Sequence, residues 1–328
     1  MTTQQLTYVL AVADCQSFSK AAEKLYVTQP SLSQYIHSIE KQLGVQLFDR
    51  SSSPIRLTDA GELYASWARK LLMMEEEMNN ALSDLMGVQT GAVRIGASPF
   101  RVRCLLARSI AAFHERYPDV KLNIIEADMR RLRELLSSGE IEYAIGNGSF
   151  EEKSFHTEVL ATERLYLAVS PKNPLCERLP KPLTASDICN ATLDFLRAEP
   201  IDMQTVSDQE FVAANAGEYD RDSLAEVCRA CGFTPRIGYA VQTIETVFSF
   251  VCANMGIALL PDSLIYYGNF QEHPNYYLLP DDIADCGISL ISKRNAYISK
   301  AASAYALLLK QLVDVGTWRM GGRDGGGR

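Results

Sequence analysis

SFSKAAEKLYVTQPSLSQYIHSIEKQLGVQLFDRSSSPIRL, residues Ser17 to Leu57, holds two helix signals, a tight turn between them and a strand pair. Ser17 can cap a helix in which Phe18, Ala21, Ala22 and Leu25 recur at helical spacing. Thr28 can cap the next, with Pro30 in its first turn, where a missing N–H costs nothing. Leu32, Ile36, Ile39 and Leu43 form its apolar stripe, and Gly44 stops it. Its opposite face carries Ser31, Gln34, His37, Ser38 and Lys41. VQLFDRSSSPIRLT then reads as two short strands around a polar turn, a wing. Upstream, Leu6, Val9, Leu10 and Ala13 predict one more amphipathic helix.

Two helices joined by a tight turn, the second polar on its outer face, suit a helix entering the major groove of DNA. Any three-helix bundle with a solvated face would show the same pattern, so geometry alone leaves both readings open. Charge does not favour DNA. The chain has a net charge of −8, and residues 1–58 hold five basic and four acidic side chains, a balance of +1. That is little where phosphate neutralisation usually dominates affinity.

The stretch extended to Leu72 resembles the DNA-binding domain of LysR-type transcriptional regulators. The matching pieces are Ser17-Phe18, Ala21-Ala22, Leu25, Val27-Thr28-Gln29-Pro30-Ser31-Leu32-Ser33, Ile36, Ile39-Glu40, Leu43-Gly44-Val45, Leu47-Phe48-Asp49-Arg50 and Leu57-Thr58-Asp59-Ala60-Gly61. The resemblance implies a sequence-specific regulator and no enzyme. It places Gln29, Ser31, Ser33, Gln34, His37 and Ser38 at or near the groove, and Arg50 and the wing against the backbone. Ser17, Pro30, Lys41, Ser52 and Arg56 complete the expected DNA-contacting set. Many members carry Arg or Lys where this chain has Gln34, His37 and Ser38. Readout then rests on the Gln34 amide, which can bond adenine bidentately, and on hydroxyls that discriminate less.

From Thr58 to about Met86 the chain reads as one helix, ended by Gly87. Ala60, Tyr64, Trp67, Leu71, Met74, Met78, Ala81 and Leu85 alternate at spacings of four and three, a heptad seam. Such a seam pairs helices or packs on its own domain. The resemblance implies the former, a homodimer or tetramer through Tyr64, Trp67, Leu71, Met74, Met78 and Leu85.

After Gly87–Gly91 the pattern changes to strand–helix alternation: AVRIGAS, CLLARSIAAFHERYP, KLNIIEAD, LRELLSSG and EYAIGNGS. A second unit follows, with RLYLAVS and ATLDFL as strands, a helix through SLAEVCRACG, the strand RIGYAV, a helix through TIETVFSFVCANMG, and IALLP. This implies parallel sheet with helices on its faces. The order resembles the LysR-family effector domain, which folds like a periplasmic binding protein. The expected fold class is therefore α+β multidomain. A winged helix-turn-helix spans 1–58 and a linker helix 59–89. A two-lobed α/β effector domain spans 90–316, lobe I over about 90–163 and 268–316 and lobe II over about 164–267. A Gly-rich tail spans 317–328.

Ligands in such sheets sit beyond the C-terminal strand ends, near helix N-termini. Ser98, Pro99, Phe100 and Arg101 occupy that place after the first strand and can hold a carboxylate. By family analogy Thr243 and Asn147-Gly148 also line the cleft, although each serves equally well as a cap or turn. The segment 197–223 reads as a long loop offering Arg197, Gln204, Tyr219 and Arg221. Partners expected are duplex DNA half-sites, a small-molecule effector, a second copy of the chain and RNA polymerase. No cofactor or metal is expected: Cys228 and Cys231 have redox spacing but lie in an amphipathic helix, with no His nearby in sequence. Scattered cysteines, no signal peptide and no run of roughly 18 apolar residues point to a cytoplasmic protein rather than a membrane one. A solute-binding protein or enzyme on the same scaffold would need a secretion signal or a catalytic constellation, and neither is legible. A DNA-binding protein with a vestigial cleft stays open.

Overall fold

The computed structural model describes residues 1–85, 91–147, 150–215, 217 and 219–317, and the chain divides into two units near residue 88. In the first unit the caps determine where helices begin. Thr2 and Gln5 form a reciprocal capping box at α1 (Thr3–Cys15). Ser17 caps α2 (Phe18–Lys24), and Thr28 caps α3 (Gln29–Leu43), which ends at Gly44 in the left-handed region (φ 73°). Strands β1 (Phe48–Asp49) and β2 (Arg56–Leu57) pair antiparallel as the wing. Val9, Val12, Phe18, Ala21, Leu32, Ile36, Ile39, Leu47 and Phe48 make the core. Leu43, expected in that core, is exposed; Glu40 takes the inward position in the last turn of α3.

Helix α4 (Asp59–Leu85) starts where a Cβ on Gly61 would overlap the Leu47 carbonyl oxygen, so only glycine permits this approach to the wing. Its early turns bury Ala65 and Ala68 against Leu6 and Leu10 of α1, with Tyr64, Leu71 and Leu72 partly covered. The predicted end of this helix at Met86-Gly87 lies outside the described residues.

In the second unit β3 (Gly91–Ala97) lies between two parallel neighbours, β4 (Val120–Glu126) and β5 (Tyr143–Gly146). The connection to β4 runs through α5 (Pro99–Arg101), an i→i+5 turn over Val102–Leu106, and α6 (Ala107–Arg116). The connection to β5 is α7 (Met129–Ser138). The long strand β6 (Phe155–Val169) carries the chain into the second lobe. There follow α8 (Ala185–Asn190), α9 (Leu193–Arg197), β7 (Glu210–Ala214), α10 (Arg221–Ala230), β8 (Arg236–Val241), α11 (Ile244–Cys252), β9 (Ala258–Pro261), α12 (Asp262–Tyr267), β10 (Asn275–Leu278), α13 (Asp281–Ala284), β11 (Asp285–Lys293) and α14 (Lys300–Thr317). β10 pairs with Tyr166–Val169 of β6, and β11 with Phe155–Arg164. The return between lobes therefore runs antiparallel beside β6, near Leu279–Asp285, later than the expected position of about 268.

One element differs in kind. ATLDFL, read as a strand, is the short helix α9 capped by Thr192, with Leu193 and Leu196 exposed. The strand is Glu210–Ala214, inside the supposed loop; Phe211 to Ala214 are all buried and pair in parallel with β8. Burial decided between two similar apolar runs. Among the described residues no helix is long and apolar enough to cross a membrane.

Candidate functional site

The first candidate surface is the outer face of α3. Gln29, Pro30, Ser31, Gln34, His37, Ser38 and Lys41 are exposed along it, with Ser33 half-buried. Two hydroxyls are engaged: Ser31 bonds Thr28 at 2.8 Å, and Ser38 donates to the Tyr35 carbonyl at 2.7 Å. Gln29, Gln34 and His37 are long polar side chains on this face, and Lys41 is its lysine. Ser17 is the α2 cap, accepting from the Lys20 amide. The Arg50 guanidinium, expected against the DNA backbone, is 41% exposed and already holds a carboxylate. It donates to Glu40 at 3.0 Å and lies over the Phe18 ring at 5.1 Å. Arg56 is exposed on β2, and Ser52 is half-buried in the wing turn.

Glu40 was missed as a functional residue. Its buried carboxylate also accepts from the Leu47 and Phe48 amides, at 2.9 and 3.3 Å, so one side chain ties the reading helix to the wing. A charged residue one turn after Ile36, on the apolar side of α3, was the available signal. Tyr26 was missed too: 97% exposed, it sits in the turn before α3 on a left-handed backbone (φ 56°). In the wing, the Ser51 hydroxyl and amide donate to Asp49 and hold its carboxyl below the ordinary value.

The second site is a cavity of about 280 Å³ between the lobes of the second unit. Ser98, Pro99 and Phe100 follow β3, and Ala127 and Asp128 follow β4. Ala214, Gly217 and Tyr219 follow β7, while Gln242, Thr243, Ile244 and Glu245 follow β8. All four strands present their C-terminal ends, the position ligands take in open α/β sheets. Ser98 and Thr243 both act as helix caps, accepting from the Arg101 and Thr246 amides.

Arg101 does not line this cavity. It is fully buried and donates to Glu163, also fully buried, on β6. The Asn147 side chain bonds Arg101, Glu163 and Tyr219, the Tyr219 hydroxyl donates to Glu163, and Ser263 donates to Glu163 at 2.6 Å. The network joins both lobes through the crossing strand. Behind the cavity wall, the Arg101 guanidinium lies 5.2 Å from the Phe100 ring centre and 5.9 Å from that of Tyr219. Tyr219 thus belongs to both cavity and network.

The structure brings Ser98, Pro99, Phe100 and Thr243 together and puts Asn147 behind them; Gly148 lies outside the described residues. Arg197 is exposed at the end of α9 and does not line the cavity, because the strand it was thought to follow lies elsewhere. Gln204 donates to the Cys231 carbonyl. Cys228 packs inside α10's apolar face, where burial pushes its thiol up to about 12.

The geometry agrees with the comparisons. The family model described as "Bacterial regulatory helix-turn-helix protein, lysR family" matches residues 3–62, and "LysR substrate binding domain" matches 87–193 and 188–314. The chain belongs to the LysR family: it is a DNA-binding transcriptional regulator with an effector domain, and not an enzyme. It is 28% identical over 305 residues to an uncharacterized HTH-type transcriptional regulator, YwbI, of Bacillus subtilis (strain 168), covering 93% of this chain and 94% of that one. It is 35% identical over 178 residues to a probable RuBisCO transcriptional regulator of Cyanidium caldarium, covering 53% and 56%. In fold it resembles full-length CbnR complexed with its target DNA (TM-score 0.66, 18% identity, 95% of this chain and 99% of that one). It also resembles a full-length OxyR variant from Pseudomonas aeruginosa (TM-score 0.65, 22% identity, 95% and 94%).

Proposed function

We propose that α3 reads its operator through Gln34, His37 and the Gln29–Ser33 turn, and that occupancy of the interlobe cavity controls this binding. The observation supporting control is the double membership of Tyr219. A ligand held against its ring bears on the residue that donates to Glu163, and hence on the pair joining the lobes. Such a ligand shifts the population toward the arrangement it fits better.

The reading head is short of charge, and pairing of two copies compensates, since linked half-sites bind at high effective concentration. Trp67, Met74, Met78 and Leu85 are exposed along α4 beside Leu63 and Leu82, a stripe that suits a second copy's helix. Tyr64 and Leu71 of the expected seam are already partly covered by the domain itself. The test is a genomic binding-site selection with the full-length protein, followed by footprinting of a selected fragment with Gln34→Ala. Altered base preference with retained folding supports the reading. An unchanged preference places readout elsewhere.

A further inference from the structure

The cavity was expected to hold a carboxylate on the Ser98 hydroxyl and the amides that follow β3. The charged side chains lining the cavity argue the other way. Arg101 is spent on Glu163 behind the wall, with no exposed surface. Among the described residues lining the cavity, the charged side chains are Asp128 and Glu245, both acids. The nearby cation Arg103 is engaged with Glu245 at 3.0 Å. Ser98 takes the Arg101 amide and Thr243 takes the Thr246 amide, while Pro99 has no N–H to give. Gln242 adds a neutral polar side chain, and most of the remaining lining is apolar or aromatic: Pro99, Phe100, Ala127, Ala214, Ile244 and the Tyr219 ring.

We infer that the effector is a small ring-bearing molecule, uncharged or cationic, that packs against Phe100 and Tyr219 with a hydrogen-bond donor toward Asp128 and Glu245. This rests on the cavity being the effector site. At about 280 Å³ the space lies at the lower end of ligand cavities, so one ring with a short polar arm is the fitting size. An anionic group would face the Asp128 carboxylate and a Glu245 that already holds Arg103. An ammonium or amide N–H would find acceptors, and the rings add attraction for a cation. The Arg101–Glu163 pair serves the same selection, since it keeps the Arg101 guanidinium out of the cavity.

The experiment uses full-length protein and matched sets of single-ring compounds that differ only in the polar end. One set is 3-phenylpropanoate, 3-phenylpropanamide and 3-phenylpropylamine. Binding is read by thermal shift and calorimetry. We expect amides or amines to bind at least about tenfold tighter than their acids, a difference of about 1.4 kcal/mol. In the double variant Asp128→Asn, Glu245→Gln the advantage of amide or amine over the acid should fall about as much. Acids leading their sets would overturn the class assignment while leaving the cavity as the site. Binding that is indifferent to Tyr219→Ala and Phe100→Ala, or absent throughout, would remove the cavity reading itself. Circular dichroism shows whether each variant is folded.

Discussion

Two Glu–Arg pairs organise the molecule, and they differ in how far they are closed. In the reading head Glu40 is buried, but Arg50 stays 41% exposed, and the carboxylate spends its other bonds on two wing amides. In the effector domain Glu163 and Arg101 are both at 0% exposure, and the remaining bonds go to side chains from both lobes. The open pair is a bracket holding one element against another. The closed pair is a junction, since its partners Asn147, Tyr219 and Ser263 come from segments far apart in the chain. The difference shows why the head can remain exposed and reactive to DNA while the effector domain keeps its charge out of a ligand's reach.

Cutting the two pairs tests the contrast most severely. Glu163→Ala leaves a guanidinium buried without its counter-charge and should cost about 3–5 kcal/mol of effector-domain stability in a urea titration. Glu40→Ala should cost less, about 1–3 kcal/mol, because water can reach Arg50 while two wing amides lose their acceptor. Equal costs would mean that the closed junction is not special. Tyr219→Phe should fall between no effect and Glu163→Ala. A double-mutant cycle with Glu163→Gln should show coupling of about 0.5–3 kcal/mol, and strict additivity would disconnect the cavity from the junction.

Between these in size stands the α4 stripe. Trp67→Glu with Met74→Glu should convert the assembly to monomers in sedimentation and weaken operator binding by about 10²–10⁴-fold. The folded stability of the head should be kept, since both side chains are exposed.

The head was legible because its signals are local. Ser17, Thr28, Pro30 and Gly44 announce their own roles within one helical turn. The cavity was legible only in its local half. Ser98 and Thr243 advertise themselves as caps, but Glu163 gives no sign in FHTEVLATERLYLAV, where Glu158 and Arg164 are as charged and less buried. Its role depends on Arg101, which lies 62 residues away in sequence. Arg197 and the misplaced strand fail for a related reason. ATLDFL and EFVAA are comparable as short apolar runs, and only the neighbouring β8 and Ile257 decide which one becomes sheet.

On the reading face, Gln34→Ala should relax selectivity at one base position by about 1–3 kcal/mol. Lys41→Ala should instead weaken all sequences alike and reduce the salt slope by about one phosphate contact. A very steep slope in the unaltered protein would contradict a head that relies on neutral groups.

The smallest effects expected concern pH, and they carry opposite signs in the two regions. Ser51 holds the Asp49 carboxyl below its ordinary value of 3.8. Its contribution to the wing is therefore present above that value and lost as pH falls through the lowered folded one. In the effector domain, burial pushes the Glu142 carboxyl above its ordinary value, even though the Arg94 amide and Ser299 donate to it. That contribution is complete below 4.5 and declines as pH rises through the raised folded value. Mild acidification from neutrality should thus strengthen hydrogen-exchange protection around β3 and β5 before the wing notices. The wing should lose protection only at lower pH, and Asp49→Asn should abolish that step. Loss in both regions at the same pH would show that a shared transition, rather than these two carboxyls, sets the acid response.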